Sequence, residues 1–338
     1  MSQNIHNITS LNWQSLVTEA IRRRKDLNLN QKEHAALAGV SVPTMFSFEK
    51  YETTISLAKA LDILNVVGLV IKQNEITDPL SKFAEAAEAK WFALIQDLPK
   101  DSPARHPYGY YTYTYEITDN SGASKAISLS NLMGYLKESQ KINHSGWAPF
   151  WLPTRDEIKP YIDNDTIECW HKNSDVFNDA GHSDFWQTKP MDSSKLLMHL
   201  HRGYREDDEH NPGTAFNIDR PIINAGEIIL HAVHIANLVT KNSDDITIKL
   251  KVKYHGLRNR ELFSIPNTVY NRKICKQDSV DLSIEFKASD INELPEQNDN
   301  LTEIVHSLLT DLYSRFDFFK ISLEGVDQRL VQMRKNRY

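Results

Sequence analysis

Cysteine is almost absent from this chain of 338 residues. Its two cysteines, Cys169 and Cys275, lie far apart in the sequence. That spacing excludes a disulfide framework and a zinc ribbon with clustered ligands. Two isolated thiols are typical of a protein in a reducing compartment.

The sequence also lacks a long apolar run. A membrane-spanning helix needs about 20 mostly apolar residues, whereas the most apolar stretch, 63–71, is interrupted by Asn65 and Gly68. The first ten residues are polar and carry no cationic, apolar leader. These features predict a cytoplasmic protein with no membrane partner.

Common catalytic motifs are missing as well. There is no HExxH metal motif, no GxxxxGK[ST] phosphate loop, no GxGxxG motif after a strand and no Gly-Asp-Ser-Met-like peptidase nucleophile. Nucleotide hydrolysis, dinucleotide redox chemistry and latent peptidase activity therefore have no support in the sequence. We predict that the protein is not an enzyme and that it needs no cofactor.

The length and the charge distribution indicate two dissimilar parts. A hydrophobic content of 40% and a charged content of 25% are typical of globular proteins, and 338 residues suggest two domains. The chain has a formal net charge of −6, but residues 1–75 contain eight Lys and Arg against seven Asp and Glu. A nearly neutral head on an acidic body fits a protein whose head alone approaches DNA.

One short stretch, from Asn30 to Tyr51, has the pattern of two helices joined by a tight turn. Small and apolar residues form the inner faces of both helices. Gly39 suits the corner because glycine takes positive φ without steric cost. Ser41 is placed to cap the second helix, and Pro43 in its first turn loses no helical hydrogen bond.

This stretch resembles the Cro/C1-type (XRE) helix-turn-helix of bacterial and phage repressors, and the resemblance covers roughly Leu11 to Leu69. His34 stands where the family usually has a core leucine, and Tyr51 stands where a glycine usually ends the recognition helix. The matching residues are Gln31, Glu33, Ala35, Ala38, Gly39, Val40, Ser41, Thr44, Met45 and Glu49.

The resemblance implies double-stranded DNA as the partner. Gln31 and Lys50 would hold phosphates, with Pro43 in the first turn of the recognition helix. The side chains that would face the major groove are Val42, Thr44, Phe46 and Ser47. Arg23, in the basic run at the end of the first helix, either contacts a phosphate or belongs to a solvated face.

Periodicity along the rest of the chain predicts an α+β protein. We expect helices at about 11–27, 54–65, 80–98, 221–240, 300–319 and 323–334. A half-exposed strand should begin at Tyr110 and form a hairpin with a second strand at 126–129, and further strands are expected at 196–202, 246–254, 261–265 and 280–286. The predicted domains are a DNA-binding domain at 1–75, a connecting helix and linker at 76–103, and an α+β ligand-sensing and dimerisation domain at 104–338.

The segment from 146 to 208 is rich in tryptophan, histidine and charge. Trp147 and three further tryptophans lie here, near two groups of histidine and acidic residues. Aromatic walls with a few convergent polar groups suit a small-molecule pocket, and a large aromatic core explains the same composition. The candidate ligand-binding residues are Trp151, Trp170, Asp184, Trp186, His201, Arg202 and Tyr204.

A weaker candidate site is a polar stripe on the predicted helix at 221–240. Glu227, His231 and His234 lie four and three residues apart and share one helix face. With His199 and His201 they form a weak candidate set of divalent-cation ligands. Hydrogen-bonded histidines on a polar helix face are the better interpretation, so no metal is predicted.

These observations predict a sequence-specific DNA-binding transcription regulator, of the repressor type, that acts as a homodimer. Two recognition helices on half-sites about one DNA turn apart give more base contacts than one. The C-terminal domain would sense a small-molecule or protein effector. The alternatives are a metal-dependent enzyme with a DNA-binding head and an antitoxin-like regulator that binds another protein.

Overall fold

The computed structural model describes residues 12–27, 29–69, 78–122, 126–140, 144, 148–172, 179–206, 209–240, 245–263, 272–292 and 300–335. These residues form helices and a mainly antiparallel set of strands, which confirms the α+β class. The chain divides into two compact units, 1–78 and 79–338. The predicted boundary at residue 75 lies outside the described residues.

Unit 1 is helical throughout its described part. Its helices are α1 (Trp13–Asp26), α2 (Gln31–Leu37), α3 (Val42–Glu49) and α4 (Leu57–Val66). Each lies close to its predicted range because the start signals are local: Asn30 forms a capping box with Glu33, and the Ser41 hydroxyl accepts a hydrogen bond from the Thr44 N–H. The helices enclose a core made by Val17, Ala20, Ala35, Ala38, Met45, Phe48, Ile63, Leu64 and Val67.

The two departures from the family pattern are both accommodated inside unit 1. His34 is 1% exposed, and its Nε2 lies 2.9 Å from the Ile63 carbonyl oxygen. Burial lowers the pKa of His34, so the ring occupies the core as a neutral group. Tyr51 adopts φ 63°, and its carbonyl accepts a hydrogen bond from the Trp13 indole at 3.1 Å.

Unit 2 is built on one seven-stranded sheet in which all neighbouring strands are antiparallel. In spatial order the strands are β2 (Tyr161–Asp163), β3 (Thr166–Trp170), β4 (Phe185–Pro190), β5 (Lys195–Gly203), β1 (Tyr110–Asp119), β7 (Ile246–His255) and β9 (Ser279–Lys287). Two short parallel strands, β6 (Ala215–Asn217) and β8 (Glu261–Phe263), pair separately.

Helices cover both faces of this sheet. Helix α5 (Pro79–Ile95) packs on one face through Trp91 and Phe83. On the other face lie α6 (Leu129–Ser139), α7 (Asp219–Val239), α8 (Leu301–Ser314) and α9 (Leu323–Lys335). Among the described residues, α7 is the one helix long and apolar enough to cross a membrane, and 72% of its most apolar window is buried. Its composition is therefore that of a core helix.

The predicted half-exposed hairpin at Tyr110 is wrong. Nearly every residue of β1 is buried, because α5 covers the face that carries its threonines and Tyr110, and the α7 side covers Tyr111, Tyr113 and Tyr115. The partners of β1 are β5 and β7 rather than a strand at 126–129. Ser128, which was assigned to that strand, instead caps α6 by accepting a hydrogen bond from the Asn131 N–H.

Other boundaries differ less. Helix α5, assigned from sequence to a connecting segment, belongs to unit 2. The helix predicted to reach residue 319 ends at Ser314, because Asp317 and Phe318 take positive φ and turn the chain. Strand β8 was predicted to continue to residue 265, which lies outside the described residues. The strands β2, β3, β4 and β6 and the helix α6 were not predicted.

Candidate functional site

The outer surface of α3 is the first candidate site. We call it the α3 face, formed by Val42, Pro43, Thr44, Phe46, Ser47 and Lys50. Phe46 is 50% exposed and Val42 is 45% exposed, although both are large apolar side chains. The Lys50 ammonium lies 4.3 Å from the centre of the Phe46 ring. An exposed apolar pair one helical turn apart, beside a cation, is a surface available for contact with a partner.

Two other predicted DNA contacts are already engaged inside unit 1. The Gln31 amide donates a hydrogen bond to Glu49 at 2.6 Å. The Arg23 guanidinium bonds Glu19 at 2.9 Å and the Gly68 carbonyl at 2.9 Å. Lys50, by contrast, is exposed. The structure therefore places Lys50, rather than Arg23 or Gln31, where a phosphate would find an unengaged donor.

A buried ion pair holds the α3 face in place. Arg24 is only 9% exposed, and its guanidinium bonds Glu49 at 2.7 Å and the Leu29 carbonyl at 2.7 Å. The pair joins α1 to the end of α3, and Gln31 connects α2 to the same carboxylate. Sequence reasoning grouped Arg24 with the basic run of α1, because its burial depends on tertiary packing.

The second candidate site is a cavity of about 770 Å³ in unit 2, within the usual size of a small-molecule site. We call it the arginine pocket. The chain segments after β3 and β5, the two short strands β6 and β8, and the first turns of α7 surround it. Its walls include Tyr111, Trp151, His171, Asp184, Arg202, Tyr204, Arg205, Glu206, Phe216, Asn217, Arg220, Asn224, Tyr254, Arg260 and Phe263.

Aromatic rings form the inner wall of the arginine pocket. Tyr204 packs 5.9 Å from Tyr111 and 5.8 Å from Phe216, measured between ring centres. Burial raises the pKa of Tyr111 to about 12, so its phenol stays protonated and able to donate. The wall thus offers flat apolar surfaces with hydroxyl groups at their edges.

Two of the pocket arginines already bond other groups of the protein. Arg260 is 2% exposed, bonds Glu206 at 2.7 Å and stacks 4.5 Å over the Tyr204 ring. Arg202 pairs with Asp184 at 3.1 Å and bonds the Gly181 carbonyl at 2.6 Å. The two acidic groups of the pocket wall are therefore already paired.

The other two arginines, Arg205 and Arg220, lie exposed at the mouth. Their guanidinium groups form no hydrogen bond or ion pair with any residue in the described ranges. The pocket wall partly desolvates the Arg220 guanidinium and so lowers its pKa, and the charges of Arg205 and Arg202 lower it further. The group nevertheless stays protonated, because an arginine does not lose its proton in proteins. The mouth therefore carries two repelling cations.

Two residues of the pocket wall carry polar atoms that are buried. The Tyr204 hydroxyl and the His171 Nε2 are buried and lack a partner among the described residues, although both residues line the pocket. Burial lowers the pKa of His171, so its ring is neutral. Buried polar groups are normally hydrogen-bonded, so these two atoms mark the part of the pocket wall whose hydrogen bonds the described residues do not complete.

The residues predicted for ligand binding divide into two groups. Trp151, Asp184, Arg202 and Tyr204 line the arginine pocket, whereas Trp170, Trp186 and His201 do not. Trp186 is buried in the core and its indole bonds the Trp151 carbonyl at 3.0 Å. Trp147 lies outside the described residues.

His201 is absent from the pocket because successive residues of a strand point to opposite faces. It follows that His201 lies on the α5 face, 3.9 Å from Trp91 between ring centres, whereas its neighbour Arg202 points to the pocket. Trp170 packs in the same α5-face cluster. Of the pocket residues that sequence reasoning missed, Arg205 lay inside the charged segment already noted, and Arg220 preceded a proline at a helix start.

The weak metal candidates are separated by the sheet. His231 Nδ1 lies 2.9 Å from the Tyr115 hydroxyl, and its Nε2 lies 3.3 Å from Ser139 Oγ. Glu227 accepts a hydrogen bond from the His144 N–H, and His234 lies on the same helix. His199 and His201 face α5 on the opposite side. No group of three or more metal-ligating side chains occurs in the part of the chain that the structure describes.

A scan against protein-family models, a search of curated proteins and a search of solved structures each found no match to this chain.

Proposed function

We propose that this protein is a cytoplasmic, sequence-specific DNA-binding transcription regulator of the repressor type. In this proposal unit 1 is a Cro/C1-type helix-turn-helix that inserts the α3 face into the major groove of double-stranded DNA. The observation that carries the proposal is the α3 face itself: Phe46 and Val42 are exposed, and a capped helix start holds them in position.

The chemistry of the α3 face determines how it would read DNA. Within the face, Val42 and Phe46 suit contact with thymine methyl groups, and Ser47 suits a single hydrogen bond to a base edge. Lys50 would neutralise a phosphate. Because so few side chains reach the bases, we propose a homodimer that binds two half-sites. The arginine pocket of unit 2 would be the effector site.

Substitution of the α3 face tests this function. Once fragments bound by the full chain have been selected from genomic DNA, we expect Phe46→Ala and Ser47→Ala each to weaken binding by about 1–3 kcal/mol, because each removes one base contact. A gel-shift titration at fixed salt measures the effect. Thr44 is a poorer choice, because its hydroxyl lies 2.9 Å from the Ser41 hydroxyl and shares in the helix cap.

Leu57→Ala is the matched control. Leu57 is 73% exposed and begins α4, away from the α3 face. This variant should bind as the parent does. Equal losses at Leu57 and Phe46, or unchanged affinity in both α3 variants, would refute the assignment of α3 as the recognition helix.

A further inference from the structure

We propose that the arginine pocket binds a small organic anion, an aromatic ring that carries a carboxylate or phosphate group, with Arg205 and Arg220 holding the anionic group. This inference names the chemical class of the effector. Its regulatory meaning rests on the proposed function, whereas the binding itself does not.

The charge of the pocket is the first argument. Its described wall contains four arginines and two acids, although the chain as a whole has a net charge of −6. Glu206 is occupied by Arg260 and by the Gly213 N–H, and Asp184 is occupied by Arg202. Among the described residues, two positive charges are therefore left at the mouth of a cavity in an acidic protein.

The surroundings of Arg220 give the second argument. The adjacent carboxylate, Asp219, bonds Arg329 at 2.7 Å, and its charge offsets the effects of burial and of Arg205 on the pKa of Arg220 only in part. Arg220 also stands in the first turn of α7, where the helix dipole favours a negative charge. An anion between Arg205 and Arg220 would relieve their repulsion and accept charge-assisted hydrogen bonds from both.

The inner wall defines the other half of the ligand. Behind the arginines stand Tyr111, Tyr204 and Phe216, which present ring faces and edges. An aromatic ring that enters this space can stack on them. A bare inorganic anion would use only the mouth of the pocket.

The test uses the full chain without DNA and a set of matched pairs of probes. Each pair joins an aromatic anion to its neutral counterpart: adenosine 5′-monophosphate with adenosine, guanosine 5′-monophosphate with guanosine, and indole-3-acetate with indole-3-acetamide. Inorganic phosphate is a further probe. Thermal-shift and calorimetric titrations report binding. We expect anionic members to bind, their neutral partners and inorganic phosphate to bind at least about tenfold more weakly, and high salt to reduce the affinity.

Arginine variants assign the binding to the pocket. Arg205→Gln and Arg220→Gln should each weaken the binding of a responsive anion about 10–100-fold, because each removes charge-assisted bonds. Neither guanidinium has a bond within the described residues, so the unliganded Tm should stay the same or rise. Arg315→Gln, at an exposed arginine that does not line the pocket, should bind as the parent does.

Several results would overturn the inference. They are binding of neutral probes as tight as that of their anionic partners, no binding by any anionic probe, and unchanged affinity in both pocket variants. None of these results depends on DNA. If the protein does not bind DNA, the proposed anion site is not refuted. If the pocket does not bind anions, the proposed role of the α3 face is not refuted.

Discussion

Glu49→Ala is expected to unfold unit 1, and with it to abolish the DNA binding that we propose, while unit 2 stays folded. The substitution leaves the Arg24 guanidinium buried without its carboxylate partner. Breaking a buried ion pair by removing one partner costs about 3–5 kcal/mol. A domain as small as unit 1 has a total stability of the same order.

The loss should also spread through the α2–α3 pair. The Glu49 carboxylate accepts hydrogen bonds from both Arg24 and Gln31. Its removal therefore disconnects the end of α3 from α1 and α2 together. Amide hydrogen exchange of the full chain, resolved by segment, measures this: protection should disappear in α1 to α4 and persist in the sheet.

Two variants control for the charge change. Glu49→Gln keeps an amide oxygen that accepts a hydrogen bond from Arg24, so it should destabilise unit 1 by less than Glu49→Ala. Glu19→Ala removes a partly exposed acid that pairs with Arg22 and Arg23, and a surface pair contributes at most about 1 kcal/mol. Parent-like exchange in Glu49→Ala would show that the ion pair does not hold unit 1 together.

The contrast between Arg24 and its neighbours shows what the sequence of unit 1 can and cannot predict. Helix starts were predictable because Asn30 and Ser41 act within three residues of their own positions. The burial of Arg24 was not, because its partner stands 25 residues away on another helix. A helix cap depends on residues within a few positions of the helix start, whereas an ion pair between helices depends on how the helices cross.

In unit 2, too, local structure could be predicted from the sequence, whereas packing between elements could not. The alternation in β1 correctly indicated a strand, but it predicted a solvent-facing side that α5 in fact covers. The threonines and the glutamate on that side were predicted to be exposed, because alternation shows which side of a strand is polar. It does not show whether a helix packs against that side. The strands β2 to β4 escaped detection because two of them are short and lie in a segment dominated by tryptophan and histidine.

For a related reason, only some of the residues of the arginine pocket could be predicted from the sequence. Arg202 and Tyr204 lie close together in sequence, at the end of β5, so the charged segment pointed to them. Arg220 and Arg260 come from later parts of the chain and meet the pocket only through the fold. His201 was assigned to the pocket by proximity to Arg202 and excluded by the two-residue period of the strand.

Acidification is expected to unfold unit 2. Burial lowers the pKa of His106, His199 and His231 to about 3 in each case. Burial also lowers the pKa of His201 well below its usual value, and the charges of His106, His199, Lys253 and His255 lower it further. In the unfolded chain these rings titrate near pH 6.5.

The direction of the effect follows from proton uptake. Between pH 6.5 and about 3 the unfolded chain binds protons that the folded chain does not, so the free energy of unfolding falls as the pH falls. Well above pH 6.5 the histidines are neutral in both the folded and the unfolded chain, so their titration no longer lowers the stability of unit 2. At pH 5.5 each buried histidine lowers the free energy of unfolding by about 1.4 kcal/mol relative to its value at high pH. Four such histidines lower it by roughly 5–6 kcal/mol, which is comparable to the total stability of a domain.

His201→Phe separates this titration from other effects of acid. The His201 ring lies between Trp91 and Tyr110, at 3.9 and 4.3 Å, and neither of its nitrogens has a partner among the described residues. A phenyl ring fills the same stacked position without titrating. Denaturant unfolding at pH 8 and 5.5 should show that His201→Phe loses about 1.4 kcal/mol less than the parent.

Phe318→Leu is the control for that experiment, because the Phe318 side chain is 89% exposed and carries no titratable group. Its loss of stability between pH 8 and 5.5 should equal that of the parent. A parent-like loss in His201→Phe as well would mean that the stacked ring accepts its proton without unfolding. The agreement of the two variants would then show that the titration of His201 does not contribute to the acid sensitivity of unit 2.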